Sequence, residues 1–357
     1  MIECTLIKFE KGQVGLVSVI EKIAIDLGTR SSFCYVNSQD KFVKEPSIVV
    51  VSKSTGYIAA AGNKAKKSYD KLSKEYIQIE PFKNGSISDY DATEKLLNTL
   101  IKNSSERSKF IRPDLFLCVP GILSDVEEKA LFEAAKQAGA RKVYFIPQSV
   151  AVALAMGFDD PSYGAVMTVC MGAGISDVST VMGMRTITAK TIDFAGTDID
   201  NAIIRNLHAK YGFLVDNETA EVIKKDIGSL YPSGNEQIQV VGLDQKTDTT
   251  SRMNVTSRDV AEAVSPVVNG FVEMIKKHLC DSPPDVVADI YKNGIILAGG
   301  TAMLKGLSEF IEKTLEVKVL GTTEPERLAI EGMRKYIGNR GNSKNYGILN
   351  RLKKKVG

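Results

Sequence analysis

The chain has 357 residues, which is long for a single hydrophobic core and suits two domains or lobes. Hydrophobic residues make up 43% of it and charged residues 25%, and 46 basic against 43 acidic residues leave a net charge of +3. This near balance argues against a nucleic-acid-binding protein. The five cysteines have no CxxC spacing, no apolar run approaches the ~18 residues that span a bilayer, and no signal peptide is evident, so we expect a cytoplasmic protein with reduced thiols.

The first predicted element after residues 1–20, which we interpret as an N-terminal extension, is a β-hairpin. The apolar strand Ile23-Ala24-Ile25 runs into the turn Asp26-Leu27-Gly28-Thr29, and a second apolar strand covers residues 33–36. Glycine in such a turn permits a close backbone approach, so successive N–H groups can bind a phosphate. Asp26 adds a carboxylate, and Mg²⁺ beside a triphosphate needs only one or two. The turn alone is weak evidence, because an ordinary hairpin has the same pattern.

The first half of the chain also predicts one small insertion and one helix. Residues 52–80 are polar and rich in lysine, which is typical of an inserted subdomain. Ser124 and Glu127 have the spacing of a capping box, and Gly139 is a helix stop signal. A strand is predicted next, over residues 142–146.

A second hairpin begins near residue 165 and resembles the first. Its strand runs into Gly172-Ala173-Gly174, and the next strand covers residues 178–181. Cys170 stands where the first hairpin has Asp26. This difference bears on whether the protein hydrolyses a nucleotide or mainly binds one.

Two further glycine turns follow, Ala195-Gly196-Thr197-Asp198 and, between a strand and a helix, Gly299-Gly300. Apolar residues at steps of three and four over residues 260–279 predict an amphipathic helix. Each turn is modest evidence alone, but their order along the chain is specific. Walker A and dinucleotide fingerprints are absent, and His208 and His278 lie in predicted helices where structural roles are favoured over zinc binding.

The order of the elements predicts a duplicated α/β unit. Lobe I covers residues 21–160, contains the insertion at 52–80 and is completed by the segment at about 325–337. Lobe II covers residues 161–324 and contains an insertion at 201–257. A flexible basic tail covers residues 338–357.

Further strings in the chain extend these patterns into a family resemblance. They are Glu45-Pro46-Ser47, Pro81-Phe82-Lys83-Asn84-Gly85, Cys118-Val119-Pro120, Thr219-Ala220-Glu221, Ile227-Gly228-Ser229, Ser282-Pro283-Pro284-Asp285 and Gly294-Ile295-Ile296-Leu297-Ala298-Gly299-Gly300. With the hairpins, they resemble the MreB family of bacterial actins, in the actin, Hsp70 and sugar-kinase superfamily, over residues 23–332. A chaperone or a sugar kinase is disfavoured, since neither a substrate-binding domain nor a sugar pocket is evident.

The resemblance implies an actin-like ATPase fold of two lobes from duplicated RNase H-like units, each with a small inserted subdomain. It implies ATP and Mg²⁺ as cofactors. It also implies a cell-shape protein that polymerises into antiparallel double protofilaments at the inner face of the cell membrane, alone or with paralogues.

The resemblance also assigns site residues position by position. The residues expected to contact phosphate are Gly28, Thr29, Arg30, Gly172, Ala173, Gly174 and Gly196. The residues expected to contact adenosine are Glu221, Lys224, Gly299, Gly300 and Met303. Asp26 is expected to hold the metal through water, with Asp198 nearby, and Gln148 to position the attacking water.

The second glycine turn departs from the family pattern Asp-Ile-Gly-Gly-Gly-Thr-Thr-Glu. Cys170 removes a carboxylate, Ile175 removes a hydroxyl, and Ala173 adds a methyl group. Losing one positioning group commonly costs on the order of 10²–10³ in rate, and combined losses do not simply multiply. We therefore predict slow or impaired hydrolysis with nucleotide binding retained. The alternative is that Asp177 or Asp198 replaces the lost carboxylate.

Three assignments keep a second interpretation. Arg30 either approaches phosphate or forms an exposed salt bridge. Phe110 and Ile111 match a short apolar loop that binds lipid in the family, but they also fit the start of a strand. The protein itself is either a slow ATPase that polymerises or a non-hydrolysing structural or regulatory subunit that assembles with an active paralogue.

Overall fold

The computed structural model describes residues 6–8, 14–16, 20–72 and 74–339, and the chain divides into two compact units. The first unit comprises Met1–Val119, Leu123–Ile146 and Met333–Gly357, and the second comprises Pro120–Ile122 and Pro147–Gly332. In the described ranges, no helix is long and apolar enough to cross a membrane.

The first unit is built on a five-stranded sheet. Its elements in chain order are β1 (Leu6–Lys8), β2 (Val14–Leu16), β3 (Lys22–Leu27), β4 (Ser31–Val36), β5 (Lys41–Pro46), β6 (Val49–Ser52), β7 (Ile58–Ala61), α1 (Asn63–Leu72), β8 (Tyr76–Ile79), β9 (Phe82–Lys83), β10 (Ser86–Ile87), α2 (Tyr90–Ser104), β11 (Asp114–Val119), α3 (Asp125–Gln137) and β12 (Lys142–Pro147). The main sheet has the order β12-β11-β3-β4-β5, with β3, β4 and β5 antiparallel and β11 parallel to β3.

Local sequence explains where the helices of this unit begin. The Ser124 side chain accepts a hydrogen bond from the Glu127 N–H at 3.2 Å, and the Glu127 carboxylate accepts from the Ser124 N–H at 2.9 Å, so the predicted capping box is confirmed. Asp89 caps α2 through the N–H of Ala92. Helix α2 buries Leu96, Leu97 and Leu100 in the apolar core on the main sheet.

The second unit follows the same plan. Its elements are α4 (Gln148–Ala155), β13 (Ala165–Met171), β14 (Ser176–Met182), β15 (Arg185–Ile192), α5 (Gly196–Tyr211), β16 (Phe213–Leu214), α6 (Asn217–Ile227), β17 (Gln237–Asp244), β18 (Thr249–Thr256), α7 (Ser257–Cys280), α8 (Pro284–Asn293), β19 (Ile295–Ala298), α9 (Leu307–Leu315), β20 (Val319–Leu320) and α10 (Leu328–Asn339), whose last part belongs to the first unit. Helix α7 confirms the amphipathic helix predicted over residues 260–279.

The two main sheets share one topology. The second has the order β15-β14-β13-β19-β20, in which β13, β14 and β15 are antiparallel and β19 and β20 are parallel to β13. In both sheets a three-stranded antiparallel meander is extended by two strands beside its first member, and the nearer of these two strands is parallel to that member. This repeat confirms the predicted duplication of an α/β unit.

Each unit also carries a smaller sheet at its insertion. In the first, β6, β7 and β8 form a three-stranded sheet with α1 against it. In the second, β16, β17 and β18 form a sheet that packs on α6.

The unit boundaries differ from the predicted lobe limits. Helix α4 lies before residue 160 but belongs to the second unit, because it packs against β13 and β14. Gly332 on α10 lies against α4: a Cβ there would lie 1.7 Å from the Ala151 carbonyl oxygen. The switch to the first unit accordingly falls at Met333 rather than near residue 325.

Two predicted segments fall mainly outside the described residues. Of the extension at 1–20, the structure describes the antiparallel pair β1–β2 and residue 20. Of the basic tail at 338–357, only the last two residues of α10 are described.

Candidate functional site

The first glycine turn lies between β3 and β4. Asp26, near the end of β3, stands in register with Cys118 on β11 and Phe33 on β4. Burial raises the pKa of Asp26 to about 6, against a smaller opposing effect of the Cys118 thiol. A Cβ at Gly28 would lie 2.6 Å from the Ser31 carbonyl oxygen, so this turn requires glycine.

Arg30 connects this turn to the insertion of the first unit. Its Nη1 lies 2.7 Å from Glu80 Oε1, at the end of the insertion. Its carbonyl oxygen accepts from the N–H of Ser47, before the start of the insertion, at 3.0 Å. The salt bridge that sequence left open is therefore present in this structure, and Glu80 is a site neighbour that the sequence analysis missed.

The second glycine turn lies between β13 and β14, and two of its carbonyl groups accept two hydrogen bonds each. The oxygen of Gly172 accepts from the Gly196 N–H at 3.0 Å and the Thr301 hydroxyl at 2.7 Å. The oxygen of Ala173 accepts from both the N–H and the hydroxyl of Thr197, at 3.0 and 2.7 Å.

The amide groups of the same turn remain open. Within the described part of the chain, neither the N–H of Ala173 nor that of Gly174 donates to another residue. Carbonyl groups held on one side and open N–H groups on the other form an anion-binding concavity. The turn thus has the backbone geometry that a phosphate needs.

Cys170 stands directly opposite a carboxylate. It pairs in register with Asp177 on β14 and Ala298 on β19, so Cys170 and Asp177 share one face of the sheet. Asp177 is buried and accepts from the Thr191 hydroxyl at 2.7 Å and the Gly121 N–H at 3.3 Å. Burial raises its pKa, and these hydrogen bonds only partly oppose the shift.

Asp198 has a structural partner instead. Its Oδ2 accepts from the Ala195 N–H at 2.8 Å, at the start of α5. A capping carboxylate stabilises the first turn of a helix. Of the two acidic residues that sequence offered as replacements for the lost carboxylate, only Asp177 is shown on the face of Cys170.

The residues assigned to adenosine lie on α6 and after β19. Glu221 pairs with Lys225, and Met303 is exposed. Gly299 has φ of +90°, and a Cβ there would lie 2.2 Å from the Met171 carbonyl oxygen, whereas Gly300 has open space around it. The glycine pair therefore lies directly beside the end of β13.

Lys224 is almost enclosed. Its Nζ lies 2.7 Å from Asp200 Oδ1 and 3.0 Å from the Gly196 carbonyl oxygen. Sequence reasoning assigned no role to Asp200 or Thr301, although each lies within two residues of a glycine turn that it singled out.

Gln148 is the first residue of α4 and is partly exposed. It belongs to the same unit as the second glycine turn. Among the described residues, no hydrogen bond holds its side chain, and no cluster of three or more His, Cys, Asp or Glu side chains is placed to bind a metal.

A family model described as MreB/Mbl protein matches residues 20–345. The chain belongs to the MreB/Mbl family. It is 30% identical over 304 residues to the cell shape-determining protein Mbl of Bacillus subtilis (strain 168), covering 85% of this chain and 91% of Mbl.

Solved structures agree with this assignment at the level of the fold. MreB 5 of Spiroplasma citri bound to AMPPNP has a TM-score of 0.84 at 22% identity, over 90% of this chain and 97% of that one. A MamK double helical filament has a TM-score of 0.75 at 18% identity, over 89% and 99%. The predicted MreB resemblance and actin-like fold are confirmed, and so is the predicted class of cell-shape cytoskeletal protein at the level of the MreB/Mbl family.

The apolar loop that this MreB/Mbl chain was predicted to carry is exposed. Phe110 is 89% exposed and Ile111 is 36% exposed. Both follow the 3₁₀ turn Arg107–Lys109, and both donate their N–H to the Arg107 carbonyl oxygen. Strand β11 begins only at Asp114, so the alternative that the two residues start this strand is wrong.

Proposed function

We propose that this chain is a cell shape-determining cytoskeletal protein that binds ATP, assembles into filaments and hydrolyses ATP slowly. The observation that carries the proposal is the second glycine turn: its open N–H groups suit a phosphate, while Cys170 and Ile175 replace the groups that act in hydrolysis. Relatives support the rest, since MreB 5 of S. citri was crystallised with AMPPNP and MamK forms a filament.

The residues present fit an adenine nucleotide. The phosphates would meet Gly28, Thr29, Arg30, Gly172, Ala173, Gly174 and Gly196, and the adenosine would meet Glu221, Gly299, Gly300 and Met303. The open space around Gly300 and the open N–H groups of Ala173 and Gly174 favour this assignment. That both glycine turns contact the same nucleotide remains a prediction of the sequence.

Mg²⁺ fits the donor set in a limited way. Asp26 would hold it through water, and Asp198 is the second candidate, although one of its oxygens already caps α5. Because Mg²⁺ keeps several waters and takes phosphate oxygens as ligands, one carboxylate is enough to hold it. Bound Mg²⁺ would neutralise phosphate charge, and a neutral thiol at Cys170 adds nothing to that role.

Slow hydrolysis follows from what the second turn has lost. Ile175 has no hydroxyl to place water, and Cys170 has no carboxylate. Gln148 remains as the residue that would orient water, a role that glutamine fills in other nucleotide hydrolases. We expect ATP binding to be retained although hydrolysis is slow, because the backbone N–H groups of the second glycine turn are still present.

Assembly and membrane attachment complete the proposal. We propose that the chain polymerises with itself into antiparallel double protofilaments on the inner face of the cell membrane, with Phe110 and Ile111 in contact with lipid. Two exposed apolar side chains bind weakly alone, but many copies along a filament add avidity. Assembly with a hydrolysing paralogue is the second candidate. The loss of the carboxylate and of the hydroxyl at Cys170 and Ile175 favours it.

Sedimentation and electron microscopy of the purified protein test this function. Filaments that form with ATP from this chain alone support the proposal. Filaments that form only after an active MreB paralogue is added would favour the second candidate. Absence of ATP binding in calorimetry would overturn both.

A further inference from the structure

We infer that Lys224 positions the second glycine turn from its carbonyl side and does not contact the adenosine. This inference rests on the proposed nucleotide binding. It departs from the role that family resemblance gives to Lys224, and it assigns Asp200 and Thr301 to the same device.

The surroundings of Lys224 leave little room for a ligand. Its side chain is 14% exposed and that of Asp200 is 3% exposed. Its Nζ forms an ion pair with the carboxylate of Asp200 on α5 and donates a hydrogen bond to the backbone oxygen of Gly196, the first residue of that helix. A Cβ at Gly196 would lie 3.2 Å from this Nζ, so the three groups are in close contact.

One peptide group connects Lys224 to the second glycine turn. The peptide between Gly196 and Thr197 accepts from Lys224 at its oxygen and donates to the Ala173 carbonyl through its N–H. A cation at the oxygen polarises the peptide and strengthens its N–H as a donor. The charge of Lys224 is thereby transmitted to the backbone of Ala173 without contact between the two residues.

Thr301 secures the adjacent carbonyl. Its hydroxyl donates to the Gly172 oxygen, which also accepts from the Gly196 N–H. A Cβ at Gly196 would lie 2.7 Å from the Thr301 hydroxyl, so Thr301 packs on the same glycine. Lys224 and Thr301 thus hold the carbonyl side of the turn from two directions, which leaves the N–H groups of Ala173 and Gly174 directed to a phosphate.

The test compares ligands with and without phosphates. Affinities for ATP, ADP and adenosine are measured by calorimetry on the wild type, Lys224→Met, Thr301→Val and the control Lys313→Met. Lys313 is an ion-paired lysine of the same unit, 66% exposed, on α9. The charge-assisted hydrogen bond at stake predicts that Lys224→Met weakens ATP and ADP binding about tenfold or more, while adenosine binding stays within about twofold.

Two further variants keep the test decisive. Lys224→Arg preserves the charge and is expected to restore most of the ATP affinity. If Lys224→Met does not fold because it removes the ion-pair partner of a buried carboxylate, Lys224→Met/Asp200→Asn removes both charges and takes its place. Thr301→Val is expected to show the same phosphate-selective loss, and Lys313→Met no loss.

The outcomes separate this inference from the proposed function. A wild type that binds none of the three ligands overturns the proposed function. A wild type that binds ATP, with variants that lose ATP, ADP and adenosine equally, places Lys224 at the adenosine and overturns only the inference. Unchanged ATP affinity in both Lys224→Met and Thr301→Val overturns it as well.

Discussion

At the scale of single residues, ion pairs join segments that lie far apart in the sequence. Asp259, Arg30 and Lys224 each belong to a pair or network that joins segments distant in sequence. Sequence revealed the charged residues but not their partners, because partner choice depends on how the strands bring the segments together. For Arg30 in particular, 50 positions separate it from Glu80.

The network around Asp259 predicts a pH effect on stability. Burial raises the pKa of Asp259, but hydrogen bonds from Lys210, Thr256 and Tyr211 outweigh it and hold this pKa at about 2. Because the folded pKa lies below the unfolded value, the stabilisation is present above about pH 4 and is lost as the pH falls toward 2.

We expect Asp259→Asn to lower the free energy of unfolding by about 2 kcal/mol near pH 7 and to have little effect near pH 2. Denaturant unfolding at both pH values measures this difference. Glu262→Gln, which removes the exposed partner of Lys210, is the control and should change little. An equal loss for Asp259→Asn at both pH values would refute the role of the ionised carboxylate.

The Arg30–Glu80 pair predicts a competition with phosphate. The ion pair is partly exposed, with 34% of the Arg30 side chain and 20% of the Glu80 side chain accessible, so removing the carboxylate takes one partner from Arg30 at modest cost to stability. Glu80→Gln is therefore expected to raise ATP affinity a few-fold, and the gain should vanish in Arg30→Met/Glu80→Gln. Calorimetry measures both. A gain that persists without Arg30 would show that Arg30 does not contact phosphate.

At the scale of elements, the turns that sequence selected are placed by the strands that flank them. The capping box of α3 and the strands around both glycine turns were predictable because short-range patterns specify them. The side to which α4 packs was not, because that depends on contacts with β13 and β14 that are formed by tertiary packing. Whether Phe110 and Ile111 belong to the apolar loop or to the next strand could not be predicted either, since apolar residues just before a strand have the same pattern as the strand itself.

The glycine pair after β19 gives a matched prediction. Gly299→Ala forces a positive φ on alanine and places its Cβ against the Met171 carbonyl, whereas a Cβ at Gly300 meets nothing within 4 Å. We expect Gly299→Ala to destabilise the nucleotide-free protein by about 2 kcal/mol or more and Gly300→Ala by well under about 1 kcal/mol. Thermal unfolding compares the two. Equal melting temperatures would contradict this geometry.

The exposed loop gives a test of membrane attachment. We expect Phe110→Ser/Ile111→Ser to reduce co-sedimentation of filaments with anionic liposomes several-fold, because the variant loses Phe110, which is 89% exposed and the most exposed large hydrophobic side chain of the described residues. Tyr57→Ser removes another exposed ring of the first unit, 67% exposed, and serves as control. Unchanged pelleting of the double variant would reject the loop as an anchor.

At the scale of the whole molecule, duplication is the feature that sequence predicted best. The two main sheets have one strand order, and each carries a glycine turn after its first strand. The copies differ in their side chains: Asp26 has Phe33 opposite it in the hairpin and Cys118 on the parallel strand, whereas Cys170 has Asp177 and Ala298 at these two positions. The chain keeps the fold of the MreB/Mbl family, and we propose that the side chains of its second glycine turn have changed from the family pattern.

Phosphate release tests this account most directly. The rate is measured under assembly conditions for the wild type, for Cys170→Asp/Ile175→Thr, which restores the family side chains, and for that double variant with Gln148→Ala. We predict slow release by the wild type, an increase on the order of tenfold or more in the double variant, and loss of the increase without Gln148. A wild type that already releases phosphate as fast as the double variant, and that loses this rate on Gln148→Ala, would contradict the account.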